Sequence, residues 1–341
     1  MLTLAVCAAA QQLPKVRKQK QEKEPPTQTL PLEKEPPAAV AVETARLTFH
    51  VSPLSDKGLL SQQTRDALKV LFDANRGAAI VKLRAFVAGT GDLRRVQSIV
   101  SEMFGDKKMP LPALTTIQVG GLPLEGAQVV IESVSTDRKA VNPNGLAFFP
   151  AQKSADAAAA VAQLASAAEM AQVASSDVLQ VTCFVSSLED VASAKAAVSR
   201  TFPSAAADFV ENQRLSTERS AQCEAVGRRS AAGKAIEVAP GAVLINTTKV
   251  VMTGTQMAFR EDDAELRLAF ERLEKSLKGV GASSGDVVYA RLYALTRTVE
   301  QKVNAQRAQV FPQATASMLR VEGLPSVDAS VGLDVIAALA K

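Results

Sequence analysis

The sequence has no tryptophan, one histidine, two tyrosines and three cysteines in 341 residues. Each scarcity closes a route. His50 and three cysteines without a CxxC pair do not make a zinc site at any standard spacing, so structural zinc and metal chemistry are not expected. A Cys–His or Ser–His–Asp triad would have to use His50. That residue sits in Leu47–Val51, whose alternation reads as an ordinary strand. With aromatics at 4%, the cores must be aliphatic with a few phenylalanines. No apolar run approaches the ~18 residues that a membrane span requires. Net charge is +4, partly from Lys15, Arg17, Lys18 and Lys20. No long basic face with interleaved aromatics marks a nucleic-acid partner.

What is present is an ordinary globular balance, 47% hydrophobic and 22% charged, at a length that predicts about two to three domains. Residues 1–43 stand apart. Met1–Ala10 is apolar and rich in small residues, like the end of a secretory h-region with an AxA-like site at Ala8–Ala10, though without a basic n-region. Export is the expectation from this stretch, with a cytoplasmic chain the alternative. Gln11–Glu43 is Lys, Glu, Gln and Pro, with KEPP written at Lys23–Pro26 and Lys34–Pro37. It buries too little apolar surface to offset the entropy of ordering, and reads as a semi-stiff stalk.

From residue 44 one unit is written three times. Helical periodicity marks Ser61–Asn75 and Asp92–Phe104 around a strand Ile80–Ala88. The pattern recurs as Asp156–Val173, Val178–Val185 and Leu188–Phe202, and again as Asp262–Leu277, Val287–Leu295 and Val299–Phe311. An aromatic in each middle strand (Phe86, Phe184, Tyr293) precedes a helix-ending phenylalanine (Phe104, Phe202, Phe311) by eighteen residues every time. Strands before and after complete a strand–helix–strand–helix–strand–strand unit, an α+β layer with both helices on one sheet face. Each last strand carries one acid in the same place: Glu132, Glu224 and Asp334. The units are bounded at 44–137, 138–232 and 233–341, the middle one most diverged. Cys183 and Cys223 both fall in strands of the middle unit, where they are either paired or two buried thiols.

These residues resemble the Rid family, also called YjgF-like or endoribonuclease L-PSP-like. The likeness lies in an ordered set: KVVMTGT at Lys249–Thr255, QTRDAL at Gln63–Leu68, GASSGDVVYARLY at Gly281–Tyr293, PALTTIQVGGLP at Pro112–Pro123, VVIESV at Val129–Val134 and AQCEAVG at Ala221–Gly227. Gly-Leu-Pro recurs at Gly323–Pro325. The resemblance implies three Rid-like (chorismate-mutase-like) domains, each a mixed sheet with two helices on one face. It also implies an intrachain pseudo-trimer: a monomer with internal threefold symmetry and ligand clefts between domains, which fusion frees to diverge.

In that family an arginine grips the carboxylate of an imino or enamino acid, and an acid near the end of the fold assists attack by water. A guanidinium suits this task through two parallel charged hydrogen bonds. Alignment on Gly-Leu-Pro puts Leu114 and Ala316 at the arginine position, with Ala206 or Ala207 in the middle unit. Arg320 lies about 13 Å further along its strand, and Arg214 is similarly displaced; both read as solvated strand residues. Cleft candidates are therefore Leu114, Thr115, Ala316, Ser317 and Arg320, with Glu132, Glu224 and Asp334 as candidate acids. The reading is a family member with degenerate sites that binds a small molecule or serves as an interaction module, without a cofactor. The alternatives are an imine hydrolase with altered cleft residues and, further off, a ribonuclease.

Overall fold

The computed structural model describes residues 34–214, 216 and 218–339. The signal-like Met1–Ala10 and the stalk as far as residue 33 lie outside the described residues. No helix among the described residues is long and apolar enough to cross a membrane.

After β1 (Ala39–Glu43) the chain runs through three series. The first is β2 (Leu47–Val51), α1 (Leu60–Ala74), β3 (Ile80–Ala88), α2 (Leu93–Asp106), β4 (Ala113–Val119) and β5 (Val129–Thr136). The second is β6 (Leu146–Ser154), α3 (Ala157–Met170), β7 (Val178–Val185), α4 (Val191–Thr201), β8 (Ala206–Glu211) and β9 (Ala221–Arg228). A hairpin of β10 (Ile236–Ala239) and β11 (Ala242–Ile245) follows. The third series is β12 (Lys249–Thr253), β13 (Gln256–Phe259), α5 (Asp263–Lys278), β14 (Val287–Ala294), α6 (Arg297–Val310), β15 (Thr315–Arg320) and β16 (Ala329–Leu339). Helix starts follow from capping side chains. Asp92, Asp156, Asp262 and Thr296 each accept a backbone N–H from the first turn that follows, satisfying a donor the helix leaves open.

Three mixed sheets result, ordered β2-β5-β3-β4, β10-β11-β6-β9-β7-β8 and β1-β12-β16-β14-β15, with β13 also on β16. In each, the middle strand pairs parallel with the strand after the second helix (β3/β4, β7/β8, β14/β15) and antiparallel with the last strand. Helix faces are buried on one side of each sheet. Ala67, Leu68, Leu71 and Phe72 of α1 meet Val96, Ile99 and Val100 of α2 over Leu83 and Ala85. Equivalent cores form in the other two series. The opposite faces share two further cores drawn from all three sheets. The sheets also meet edge to edge, β2 beside β8, β6 beside β15 and β12 beside β4.

The pairing differs from the sequence boundaries at two places. Ala39–Glu43, assigned to the stalk, is a strand paired antiparallel with Lys249–Thr253 of the third sheet. Ile236–Ile245, assigned to the third unit, pairs through β11 with β6 of the second. Both strands leave their own series because a three-residue link, Thr44–Arg46 or Asn246–Thr248, carries the chain into the next sheet rather than around a hairpin. Cys183 and Cys223 face each other across β7 and β9 and form a disulfide.

Candidate functional site

Strand register brings nine side chains into three equivalent sets. On β3, Arg84 lies opposite Thr115 of β4 and Glu132 of β5. On β7, Thr182 lies opposite Asp208 of β8 and Glu224 of β9. On β14, Arg291 lies opposite Ser317 of β15 and Asp334 of β16. All point away from the helices, toward where the three sheets meet. Beyond them, Phe86, Phe184 and Tyr293 form an apolar layer with Ile117, Val210 and Leu319. The rings of Phe86 and Phe184 meet edge to face at 5.6 Å.

The charges are shared across sheets. Arg84 donates from Nε to Glu132 at 2.5 Å and from Nη1 to Glu224 at 2.6 Å. Its Nη2 reaches Glu132 and Thr182 at 3.0 Å each, and Thr182 in turn donates to Glu132. Arg291 donates from Nε to the same Glu224 at 2.8 Å, and its Nη1 lies 3.8 Å from Asp334. Tyr289 donates to Glu224 at 3.0 Å and shares a 2.6 Å bond with the Ser317 hydroxyl. Asp334 accepts from Thr115 at 2.7 Å and Tyr293 at 3.3 Å. Lys82, two residues before Arg84, bonds the Thr115 hydroxyl and the Thr253 carbonyl and lies 3.5 Å from Asp334.

The protonation pattern follows from burial set against partners. Burial pushes the Glu224 carboxyl up, but Arg291 and Arg84 overcome it and hold it at about 2. Burial likewise opposes ionisation of Asp334, and Lys82 and Arg291 bring it below its ordinary value. Burial pushes the Lys82 ammonium down to about 8 against the pull of Asp334. Asp208 goes the other way: burial, then the Glu132 carboxylate beside it, push it well up. Neither of its oxygens has a hydrogen-bond partner among the described residues. Lys82, Arg84 and Arg291 thus stand against Glu132, Glu224 and Asp334 in a balanced cluster. A cavity of about 30 Å³ beside it is lined by Lys82, Arg84, Gln180 and Arg291, room for about two waters.

The structure separates the sequence candidates. Glu132, Glu224 and Asp334, with Thr115 and Ser317, enter the cluster and are almost fully buried. Leu114 and Ala316 do not; they pack on the helix-side cores, because neighbours along a strand point to opposite faces. Arg320 is at the rim, ion-paired with Glu218 and Glu300 at 3.6 and 3.5 Å. Arg214 is paired with Glu322 at 3.8 Å. Sequence reasoning missed Lys82, Arg84, Thr182, Asp208 and Arg291. Their signal was there: Lys82 and Arg84 alternate within Ile80–Ala88, a strand buried along its whole length. Two charges on one face of such a strand require buried partners.

A second space lies between the first and second series, a cleft of about 260 Å³ walled by Leu54, Pro123, Val191 and Phe209, with Asp208 and Lys195 on its lining. The corresponding edges are bridged directly: the Ser317 hydroxyl accepts the Ala151 N–H at 2.8 Å, and the Leu114 carbonyl accepts the Thr255 N–H at 3.1 Å. Among the described residues no cluster of His, Cys, Asp or Glu is placed to hold a metal ion.

No family model matches the chain, and no curated protein matches it. Solved structures are similar to parts of it. A member of the YjgF/YER057c/UK114 family from Mycobacterium tuberculosis is similar to 26% of this chain and 79% of its own, at 27% identity and a TM-score of 0.25. A Rid-family protein from Yersinia pestis is similar to 28% of this chain and 84% of its own, at 19% identity and a TM-score of 0.26. Each match spans about a quarter to a third of the 341 residues.

Proposed function

We propose that the chain is a Rid-type pseudo-trimer on a single polypeptide whose hydrolytic sites have become a structural core, and that it acts as a binding module rather than a 2-imino-acid deaminase. The ordered motifs and the cyclic edge contacts support the pseudo-trimer. The observation that carries the functional part is the burial of the three terminal acids among groups of this chain: Glu132 is held by Arg84 and Thr182, Glu224 by Arg84, Arg291 and Tyr289, and Asp334 by Thr115 and Tyr293. The neighbouring cations hold Glu224 and Asp334 below their ordinary pKa values, which makes them poor bases for activating water, and the positions expected to grip a substrate carboxylate face the helices. The small-molecule role falls to the 260 Å³ cleft between the first and second series. Its apolar walls, with Asp208 and Lys195 on the lining, suit a small molecule with an apolar body and one polar end. The buried disulfide supports an oxidising compartment, in keeping with an exported chain on an N-terminal stalk.

The test is ketoacid release from freshly generated 2-iminopropanoate. The expected rate in the presence of the protein equals the spontaneous rate. Turnover abolished by Glu132→Gln or Asp334→Asn would show instead that these acids work as catalysts.

A further inference from the structure

The three sheets are not equally complete. In the second, β11 lies antiparallel on β6, pairing Val243 with Phe148 and Ile245 with Leu146. In the third, β1 lies antiparallel on β12 along five residues. In the first, β8 lies beside β2 where Val51 and Ser52 face Ala207, Asp208 and Phe209, but no strand among the described residues pairs with the outer edge of β2. The register makes β2, β6 and β12 equivalent: Phe49, Phe148 and Met252 lie opposite Val134, Val226 and Ile336. The cause is linker length. Residues 229–248, between β9 and β12, are long enough to lay β10 and β11 beside β6. Residues 137–145, between β5 and β6, are not. They cover only the start of β2, where Asn142 donates from its side chain to the Leu47 carbonyl at 2.7 Å and Val141 and Asn142 bond the Ala45 carbonyl.

The space left open is a groove of about 520 Å³ lined by Thr48 and His50 of β2, the end of α1 at Ala74–Arg76, and Thr136–Lys139. Thr48 and His50 hold the positions of Ala147 and Phe149 in the second sheet. There, Ala242 and Leu244 of β11 complete the helix-side core beside them. The molecule therefore shows twice what fills this position: an extended strand of four or five residues. The groove also has a charge. Arg76, Arg138 and Lys139 are exposed on its lining, and none is ion-paired among the described side chains. Asp137 is the one acid there, and one of its oxygens accepts the Lys139 N–H at 2.8 Å.

We propose that this groove is a peptide site, in which an extended acidic segment of a partner adds antiparallel to β2 as the fifth strand of the first sheet. Main-chain bonds to the free edge supply binding, and alternate side chains face the groove. The basic rim selects acidic sequences. It is a different surface from the buried cluster and the inter-series cleft, so it does not depend on either.

His50 is the only histidine in the chain, so its imidazole resonance reports the groove directly. The full chain is titrated with an end-blocked octapeptide alternating valine and glutamate, and separately with one alternating valine and lysine. The expected result is a saturable shift of the His50 resonance with the acidic peptide, with affinity at least about fivefold weaker for the basic one. The exposed double variant R138E/K139E should reverse this preference without changing the melting temperature. Equal response to both peptides, a response unchanged in the variant, or no saturable shift would overturn the proposal. So would a His50 shift that follows protein concentration alone together with dimer formation in light scattering, because the occupant would then be a second copy.

Discussion

The first and third series solve the problem of a charged core in one way and the middle series in another. In the outer two, a strand arginine faces the acid of its own last strand, Arg84 with Glu132 and Arg291 with Asp334. In the middle series Thr182 stands where the arginine would be, and Glu224 is left for the neighbours, bonded by both Arg84 and Arg291. The extra acid, Asp208, has its pKa pushed well up by burial and by the Glu132 carboxylate beside it. The first series carries one cation too many, Lys82 and Arg84 against Glu132, and the middle series one acid without a cation of its own, Glu224, so these two balance only when they meet, whereas Arg291 and Asp334 balance within the third. Three series that differ within one chain can distribute charge in this way, whereas identical subunits cannot.

The hardest test of that comparison removes the shared cation. Arg84→Met leaves Glu132 and Glu224 without their main partner in a buried site and should cost about 3–5 kcal/mol, read as a lower urea midpoint. A loss below about 1 kcal/mol would mean that water reaches the cluster and the charges are not truly buried. A sharper test sets two acids of the middle series against each other. Glu224 has its pKa depressed to about 2 in the folded chain, so its stabilisation is present above its unfolded value of ~4.5 and is lost as pH falls toward 2. Asp208 has its pKa raised, so its contribution is present below its unfolded value and is lost as pH rises through the folded value. Asp208→Asn, neutral at every pH, should therefore stabilise the protein at pH 8 by about 1 kcal/mol or more and have little effect at pH 3. Melting curves at the two pH values decide it, and an equal effect at both would refute the raised pKa. The smallest effect belongs to the rim. Arg320→Ala breaks ion pairs with partly exposed Glu218 and Glu300 and should cost less than about 1 kcal/mol, with sensitivity to salt. A loss rivalling that of Arg84→Met would erase the distinction between core and rim.

The site was partly legible from residue order. Glu132, Glu224 and Asp334 stood out because each sits at the same place in the last strand of its series, and Thr115 and Ser317 because they border the expected arginine position. Arg84 and Arg291 were written in plain view on strands read correctly as strands, yet their partners were not: Arg84 and Glu224 are 140 residues apart. The expected arginine positions lie on one strand, while the cations sit on the next, where the pleat turns them inward.

By itself the sequence determined the order of helices and strands in each of the three series and the aliphatic, helix-covered faces, because periodicities of 3.6 and 2 are local properties of a chain. Tertiary structure decided which sheet receives β1 and β11, which cation meets which acid, and which edge of β2 stays open. Those outcomes depend on linker reach and on burial in a shared core, and neither exists until the three sheets face one another.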